Sequence, residues 1–103
     1  EAPVTLVFGA MRDKELGKIG AALFPAARHL VFTRPDNARA APVEELVRAV
    51  PVPAGSSTIT LAPSSRDALT VARSLAGPEG VVCVTGSLYL VGEIKGWLNS
   101  LAR

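Results

Sequence analysis

The sequence predicts an α/β domain in which helices cover both faces of a mostly parallel sheet. Short runs rich in β-branched residues alternate with longer segments whose apolar residues repeat at helical spacing. Four strands and four helices can be assigned in this way, and strictly alternating elements are typical of parallel strands joined by right-handed crossovers. The chain of 103 residues has the length of one domain with one core, so we expect a single domain over residues 1–103.

The first half of the chain carries two strands and two helices. Residues 4–8 and 29–33 are apolar runs of the buried type. Asp13 is a suitable N-cap for a helix between them, which Pro25 ends. A second helix is expected from Pro42 onward, because proline is tolerated in the first turn. The apolar stripe of that second helix consists of Val43, Leu46, Val47 and Val50.

The second half repeats the pattern. Residues 58–61 predict a short strand near an edge of the sheet, and a helix follows from residues 63–65 to Gly77. Residues 81–85 (VVCVT) predict a central strand that is buried on both faces. The last helix then has an apolar face made of Val91, Ile94, Leu98 and Leu101, with Trp97 extending it toward the rim.

Composition and charge exclude several classes of function. Eleven basic and nine acidic residues give a net charge of +2 without clustered Lys or Arg, and only five aromatic residues are present, so no nucleic-acid partner is expected. The chain has no apolar run of the roughly 20 residues that a membrane span needs. Cys83 is the one cysteine and is expected to be buried, which excludes a disulfide framework and favours a cytoplasmic location.

Motifs for nucleotide and metal binding are missing from the sequence. Gly17 and Lys18 are followed by isoleucine and lack the earlier glycine of a phosphate loop, and no G-x-G-x-x-G occurs. One cysteine and one histidine do not suffice for a metal site of the usual kind. ATP therefore has no self-sufficient site in these residues.

A ring of polar residues follows three of the predicted strands. The carboxyl ends of parallel strands share one edge of the sheet, where ligands bind. Arg39 could hold a carboxylate in bidentate fashion, and Asp36 could attract an amino group, so the ring suits a small dicarboxylate. Ordinary solvated loop residues are the alternative interpretation. The ring consists of Arg12, Asp13 and Lys14 after the first strand, Asp36, Asn37 and Arg39 after the second, and Ser87 after the last.

Three segments, in order along the chain, carry a resemblance to a known family. Residues 8–15 (FGAMRDKE), 33–40 (TRPDNARA) and 85–93 (TGSLYLVGE) together resemble the carboxyl-terminal domain of folylpolyglutamate synthase/dihydrofolate synthase, within the Mur ligase superfamily. The resemblance covers nearly the whole chain, and residues 86–93 are its most specific part. It implies a Rossmann-like sheet of the Mur ligase carboxyl-terminal type.

The resemblance also implies an activity. Enzymes of this family are ADP-forming ligases that activate a pteroate or folate carboxylate as an acyl phosphate, which the amine of L-glutamate attacks. ATP and Mg²⁺ are bound mainly by a separate amino-terminal ATPase domain, which would be the partner of this lobe. No catalytic residue and no metal ligand is then expected within the chain, and the isolated lobe should be inactive and monomeric.

Roles for individual residues follow from the same resemblance. Arg39 would bind a carboxylate of glutamate, Ser87 would contact the amino acid, and Asp36 and Asn37 would shape the pocket. On the nucleotide side, the residues expected to face the interdomain cleft are Arg12, Asp13 and Lys14.

The chain departs from the family pattern in three places. Glu15 stands where the family usually has Asp, and Ala38 stands where it usually has Pro. An upstream Asp-x-Ala-His-Asn segment is absent, which favours a fragment that lacks its first βα unit. Two alternatives remain open, namely the corresponding domain of a peptidoglycan Mur-type ligase and a non-catalytic α/β module that binds small anions.

Overall fold

A computed structural model of the chain describes residues 3–11, 18, 24–49, 58–85 and 88–101. The strands within these ranges are β1 (Val4–Phe8), β2 (His29–Thr33), β3 (Thr58–Ala62) and β4 (Val81–Thr85). The helices are α1 (Val43–Ala49), α2 (Ser65–Ala76) and α3 (Leu88–Leu101), with a 3₁₀ turn at Phe24–Ala26. All four strands pair in parallel in the order β3-β2-β1-β4.

The strand order explains why helices lie on both faces of the sheet. From β1 to β3 the chain steps in one direction, and from β3 to β4 it returns across the sheet to the far side of β1. Right-handed crossovers place their helices on opposite faces when the direction reverses. One face is buried against Phe24 and Leu46, and the other against α2 and α3. The predicted α/β class, parallel with helices on both faces, is therefore confirmed.

The three phenylalanines of the chain form one cluster in the first of these two core layers. The rings of Phe8 and Phe24 meet edge to face, with centroids 5.3 Å apart and planes at 86°. Phe32 completes the cluster at 6.1 Å from Phe8 and 5.4 Å from Phe24. Edge-to-face contacts of this kind stabilise beyond the area they bury. They hold the 3₁₀ turn against β1 and β2.

The expectation of a central, fully buried strand at residues 81–85 is wrong. β4 lies at one edge of the described sheet and pairs with β1 alone among the described strands. Val81 is 49% exposed and Cys83 is exposed, whereas Val82 and Val84 pack partly against the α2 and α3 layer. A run of β-branched residues is compatible with either position, because the position of a strand is decided by its partners. β3 does lie at the opposite edge, as predicted.

Helix α2 has the predicted ends. Ser64 is its N-cap, with the hydroxyl oxygen accepting the N–H of Asp67 at 3.2 Å, and Gly77 is the C-cap with φ of 69°. Val71 and Leu75 of the same helix are half-buried at the side of its contact with the sheet. The fully buried apolar positions of α2 are Ala68, Leu69 and Ala72.

The apolar stripes of the other two helices are narrower than predicted. In α1, Leu46 is buried but Val47 is 39% exposed. In α3, Ile94 is buried together with Leu90, one turn earlier, while Val91 and Leu98 are exposed. A helix that contacts a sheet along positions i and i+4 leaves the adjacent apolar positions outside the contact. The helix predicted from Asp13, and the side chains of Val50 and Leu101, lie outside what the structure describes.

Candidate functional site

The carboxyl ends of β1 and β2 approach each other closely at Gly9. A Cβ atom at Gly9 would lie 2.7 Å from the carbonyl oxygen of Thr33 and 3.1 Å from Cδ2 of Leu90. The N–H of Gly9 donates to the carbonyl of Thr85 at 3.4 Å. Glycine is therefore required sterically at the point where β1, β2, β4 and α3 meet.

The segment after β2, residues 34–39, forms an ordered loop that we call the 34–39 loop. The N–H of Asn37 donates to the carbonyl of Pro35 at 2.8 Å, and the N–H of Ala40 donates to the carbonyl of Asn37 at 3.0 Å. The side-chain oxygen of Asn37 accepts the N–H of Arg39 at 2.9 Å. Side-chain caps of this type stabilise turns. Asn37 thus fixes the turn that contains Ala38, although the usual proline is missing.

The far end of the 34–39 loop is anchored to the segment after β1. Met11 and Ala40 form an isolated antiparallel bridge, and the N–H of Ala41 donates to the carbonyl of Ala10 at 2.9 Å. Met11, Ala40 and Ala41 are all buried. The residues that directly follow β1 are therefore joined through their backbones to the end of the 34–39 loop.

The near end of the loop is held by a side chain from α3. Oε2 of Glu93 accepts the backbone N–H of Asp36 at 2.6 Å, and Oε1 accepts the hydroxyl of Ser65 at 2.6 Å. Nε1–H of Trp97 donates to the same Ser65 hydroxyl at 3.0 Å. The Arg66 guanidinium lies 5.6 Å from the centroid of the Trp97 ring, within reach of a cation–π interaction. These contacts, which we call the Glu93 network, join α2, α3 and the 34–39 loop.

The 34–39 loop, the start of α2 and the side of α3 enclose a pocket of about 560 Å³. This volume lies within the range of small-molecule sites. Arg34 and Arg66 provide positive charge, and Asp36 and Glu93 provide negative charge, so the walls suit a small molecule with both charges. We call it the strand-end pocket. Its lining residues are Arg34, Pro35, Asp36, Asn37, Ala38, Pro63, Ser64, Ser65, Arg66, Glu93 and Trp97.

The structure places only part of the predicted site. Asp36 and Asn37 line the strand-end pocket, and Arg39 is exposed on the same loop outside the described lining. Arg12, Asp13, Lys14 and Ser87 lie outside the described residues, so their predicted roles stay predictions.

Sequence reasoning missed most of this lining, including Arg34 and the four residues contributed by the two helices, Ser65, Arg66, Glu93 and Trp97. A signal for two of them was available, since Glu93 and Trp97 are four residues apart and share one face of a helix. Ser65 was interpreted only as part of a helix start. Its contact with Glu93 joins residues 28 positions apart in sequence, which no local pattern reveals.

Neither a metal cluster nor a membrane-spanning helix occurs in the described ranges. No group of three or more His, Cys, Asp or Glu side chains there could hold a metal ion. None of the described helices combines the length and the apolar character needed to cross a bilayer.

Comparisons with known proteins identify relatives over most of the chain. Residues 1–88 match the family described as Mur ligase, glutamate ligase domain. A curated relative from Halobacterium salinarum, a probable bifunctional folylpolyglutamate synthase/dihydropteroate synthase, is 35% identical over 98 residues, or 94% of this chain. The chain spans 12% of the length of that relative.

Solved structures of similar proteins share the fold. Folylpolyglutamate synthase of Mycobacterium tuberculosis, complexed with ADP and AMPPCP, matches 93% of this chain with a TM-score of 0.79 and 30% identity. E. coli FolC, in complex with DHPP and ADP, matches 100% of it with a TM-score of 0.85 and 20% identity, which indicates a common fold. In both cases the chain corresponds to 23% of the solved protein.

Proposed function

Since the chain belongs to the Mur ligase family, as a glutamate ligase domain that fits the carboxyl-terminal domain of folylpolyglutamate synthase, we propose that it is the amino-acid-binding lobe of an ATP-dependent folate ligase. The complete ligase would add L-glutamate to dihydropteroate, to folate polyglutamates, or to both. It would act in the cytoplasm as a monomer. Its amino-terminal ATPase domain would bind ATP and Mg²⁺.

The observation that carries the proposal is the strand-end pocket. It lies at the carboxyl ends of β2 and β3, where open α/β sheets bind their ligands. Asp36 and Asn37, both in the segment that resembles the family, line it, and two arginines supply positive charge. A free amino acid carries one ammonium group and at least one carboxylate, which is the combination that such walls can recognise.

The proposed reaction assigns a positioning task to this lobe. A carboxylate of the acceptor takes the terminal phosphoryl group of ATP, and ADP leaves. The ammonium group of glutamate would first lose a proton to become an amine. The amine would then attack the acyl carbon, phosphate would depart with the C–O bond electrons, and the nitrogen would lose a second proton as the amide forms. Asp36 would attract the ammonium group, and Arg39 and Ser87 would hold the rest of the amino acid, so that the nitrogen faces the acyl phosphate. Orientation of two reactants in this way lowers the barrier by avoiding an entropic cost.

The first test is ADP release by the complete ligase. We expect release that requires L-glutamate together with either dihydropteroate or a reduced folate monoglutamate, and the preferred acceptor would distinguish the two activities. If neither acceptor supports ADP release while the chain still binds glutamate, the ligase proposal is wrong and the anion-binding module is favoured. Release only with a UDP-sugar peptide acceptor would instead indicate a peptidoglycan ligase.

A second test separates glutamate binding from the rest of the reaction. Arg39→Ala and Ser87→Ala should each raise the KM for glutamate by about tenfold or more, because a charge-assisted or hydroxyl hydrogen bond to the substrate is lost. The KM values for ATP and for the acceptor should not change. Arg73→Ala is the matched control, since Arg73 is exposed in the last turn of α2, at the opposite end of that helix from the pocket. An unchanged glutamate KM in both variants would remove these residues from the site.

A further inference from the structure

Groups from two other segments occupy both oxygens of the Glu93 carboxylate. One oxygen accepts the backbone N–H of Asp36 and the other accepts the hydroxyl of Ser65, each at 2.6 Å. Hydrogen bonds to an ionised acceptor are roughly twice as strong as neutral ones. Glu93 lies in the second turn of α3, so one side chain fixes the distance from this helix to the 34–39 loop and to α2.

Ser65 transmits this constraint to Trp97. Its hydroxyl donates to Glu93 and accepts from the indole N–H, and the residue is only 3% exposed. A buried hydroxyl that loses its partner costs more than the hydrogen bond alone contributes. Loss of the Glu93 carboxylate would therefore disturb Ser65 and Trp97 as well as the 34–39 loop.

Glu93 holds the 34–39 loop at its first half, through Asp36, whereas other contacts hold the rest of the loop. The far end is joined to the segment after β1 by the bridge between Met11 and Ala40, and the middle is fixed by the side chain of Asn37. Asp36 is the residue whose N–H Glu93 holds. If that bond is lost, Asp36 becomes free to shift while the rest of the loop stays anchored.

From these contacts we infer that Glu93 is a positioning residue for the amino acid in the strand-end pocket. It holds Asp36 at the geometry that the incoming glutamate requires. The inference rests on the proposed function and deepens it, because it assigns the alignment of the amino acid to a carboxylate on α3. A displacement of about 1 Å in such groups is enough to weaken a reaction strongly.

The test is the kinetics of Glu93→Ala, Glu93→Gln and Ser65→Ala in the complete ligase. Glu93→Ala should raise the KM for glutamate by about tenfold, because two charge-assisted hydrogen bonds are lost, with the KM for ATP unchanged. Glu93→Gln keeps one acceptor oxygen, so its KM for glutamate should lie between those of the alanine variant and the wild type. Ser65→Ala should shift the glutamate KM in the same direction, although Ser65 is buried, because it removes one of the two partners.

Two controls separate positioning from a general loss of structure. Glu79→Ala removes a carboxylate from the exposed turn after α2 and should leave all kinetic constants unchanged. Circular dichroism at the assay temperature should show that every variant is folded. A purely structural defect would reduce the amount of active enzyme, and hence kcat, without changing the glutamate KM of the remainder.

The double variant Glu93→Ala/Ser65→Ala adds a further criterion. If the two residues act through one network, its effect on the glutamate KM should be smaller than the product of the two single effects. An unchanged KM in Glu93→Ala, measured in a ligase whose wild type requires glutamate, would overturn this inference and leave the proposed function intact. Failure of the wild type to use glutamate would overturn the proposed function itself.

Discussion

Gly9 lies where the backbone of the neighbouring strand leaves no room for a side chain. A methyl group there would lie 2.7 Å from the backbone oxygen of Thr33, and a backbone atom cannot move aside as a flexible side chain can. We expect Gly9→Ala to lower the free energy of unfolding by about 1–3 kcal/mol, the usual cost of overpacking. Urea denaturation followed by circular dichroism measures this change in the free energy of unfolding.

Gly96→Ala is the matched control for that substitution. Gly96 lies in α3, and a Cβ atom there would meet nothing within 4 Å. Alanine is a better helix former than glycine, so this substitution should raise the free energy of unfolding by about 0.5–1 kcal/mol. Equal effects of the two substitutions would show that the close approach at Gly9 does not limit stability.

Asn37 illustrates what residue types alone could predict. From the sequence, Asn37 was predicted to follow a strand, and Ala38 was seen to replace the usual proline of the family. The sequence did not reveal which contact would fix the turn. The structure supplies the answer in the hydrogen bond from the N–H of Arg39 to the Asn37 side chain. The tendency of asparagine to cap turns is local and could have been foreseen, whereas the bond from Asp36 to Glu93 spans 57 positions and could not.

At the scale of elements, the N-cap of α2 is a separable source of stability. Ser64→Ala removes the acceptor of the Asp67 N–H and should cost about 1 kcal/mol in the free energy of unfolding. Ser64→Asp should restore most of that loss, because aspartate also caps and its charge suits the helix amino terminus. Thermal or urea denaturation of the two variants gives both values.

Ser74→Ala serves as the control for the cap. Ser74 is an exposed residue inside the same helix, where alanine is slightly preferred, so the substitution should be neutral or mildly stabilising. A loss as large as that of Ser64→Ala would mean that any serine-to-alanine change in α2 is costly, and that the cap has no special role.

The sequence predicted which segments form strands and helices, but it did not predict which of these elements lie next to each other in the sheet. The strand runs and the ends of α2 follow from β-branched residues, Ser64 and Gly77, all of which act locally. The position of β4 depends on pairing with β1, whose residues lie at the other end of the chain. The exposed sides of Val91 and Leu98 likewise depend on how α3 lies across the sheet. Apolar periodicity identifies which face of a helix is buried, but it does not show how many residues of that face contact the sheet.

For the whole molecule, hydrogen exchange should follow the strand order. β1 and β2 are the interior strands of the described sheet, so their amides should exchange most slowly, and those of β3 and β4 should exchange faster. Val7 and Val31, both fully buried, are suitable reporters of the interior. Exchange as slow in β4 as in β1 would indicate that the outer edge of β4 is covered in the complete protein.

The sequence predicted at which edge of the sheet the candidate site lies, but it did not predict which residues from the helices line it. Parallel topology alone brings the segments after β1 and β2 to one edge of the sheet, and Met11 and Ala40 form a bridge there. The pocket also needs α3, through Glu93 and Trp97, and the start of α2. Those contributions arise from packing between helices that are distant in sequence.

The pairing of β1 with β4 has a consequence for the growing polypeptide on the ribosome. Val4 aligns with Val81, and Phe8 aligns with Thr85, so one side of β1 gains its partner only after nearly the entire sheet has been translated. Until then, the nascent chain presents an apolar strand with an unpaired row of N–H and C=O groups, which is a template for intermolecular association. Chaperone binding to nascent chains stalled before residue 81 should therefore be stronger than binding to chains that have passed residue 85.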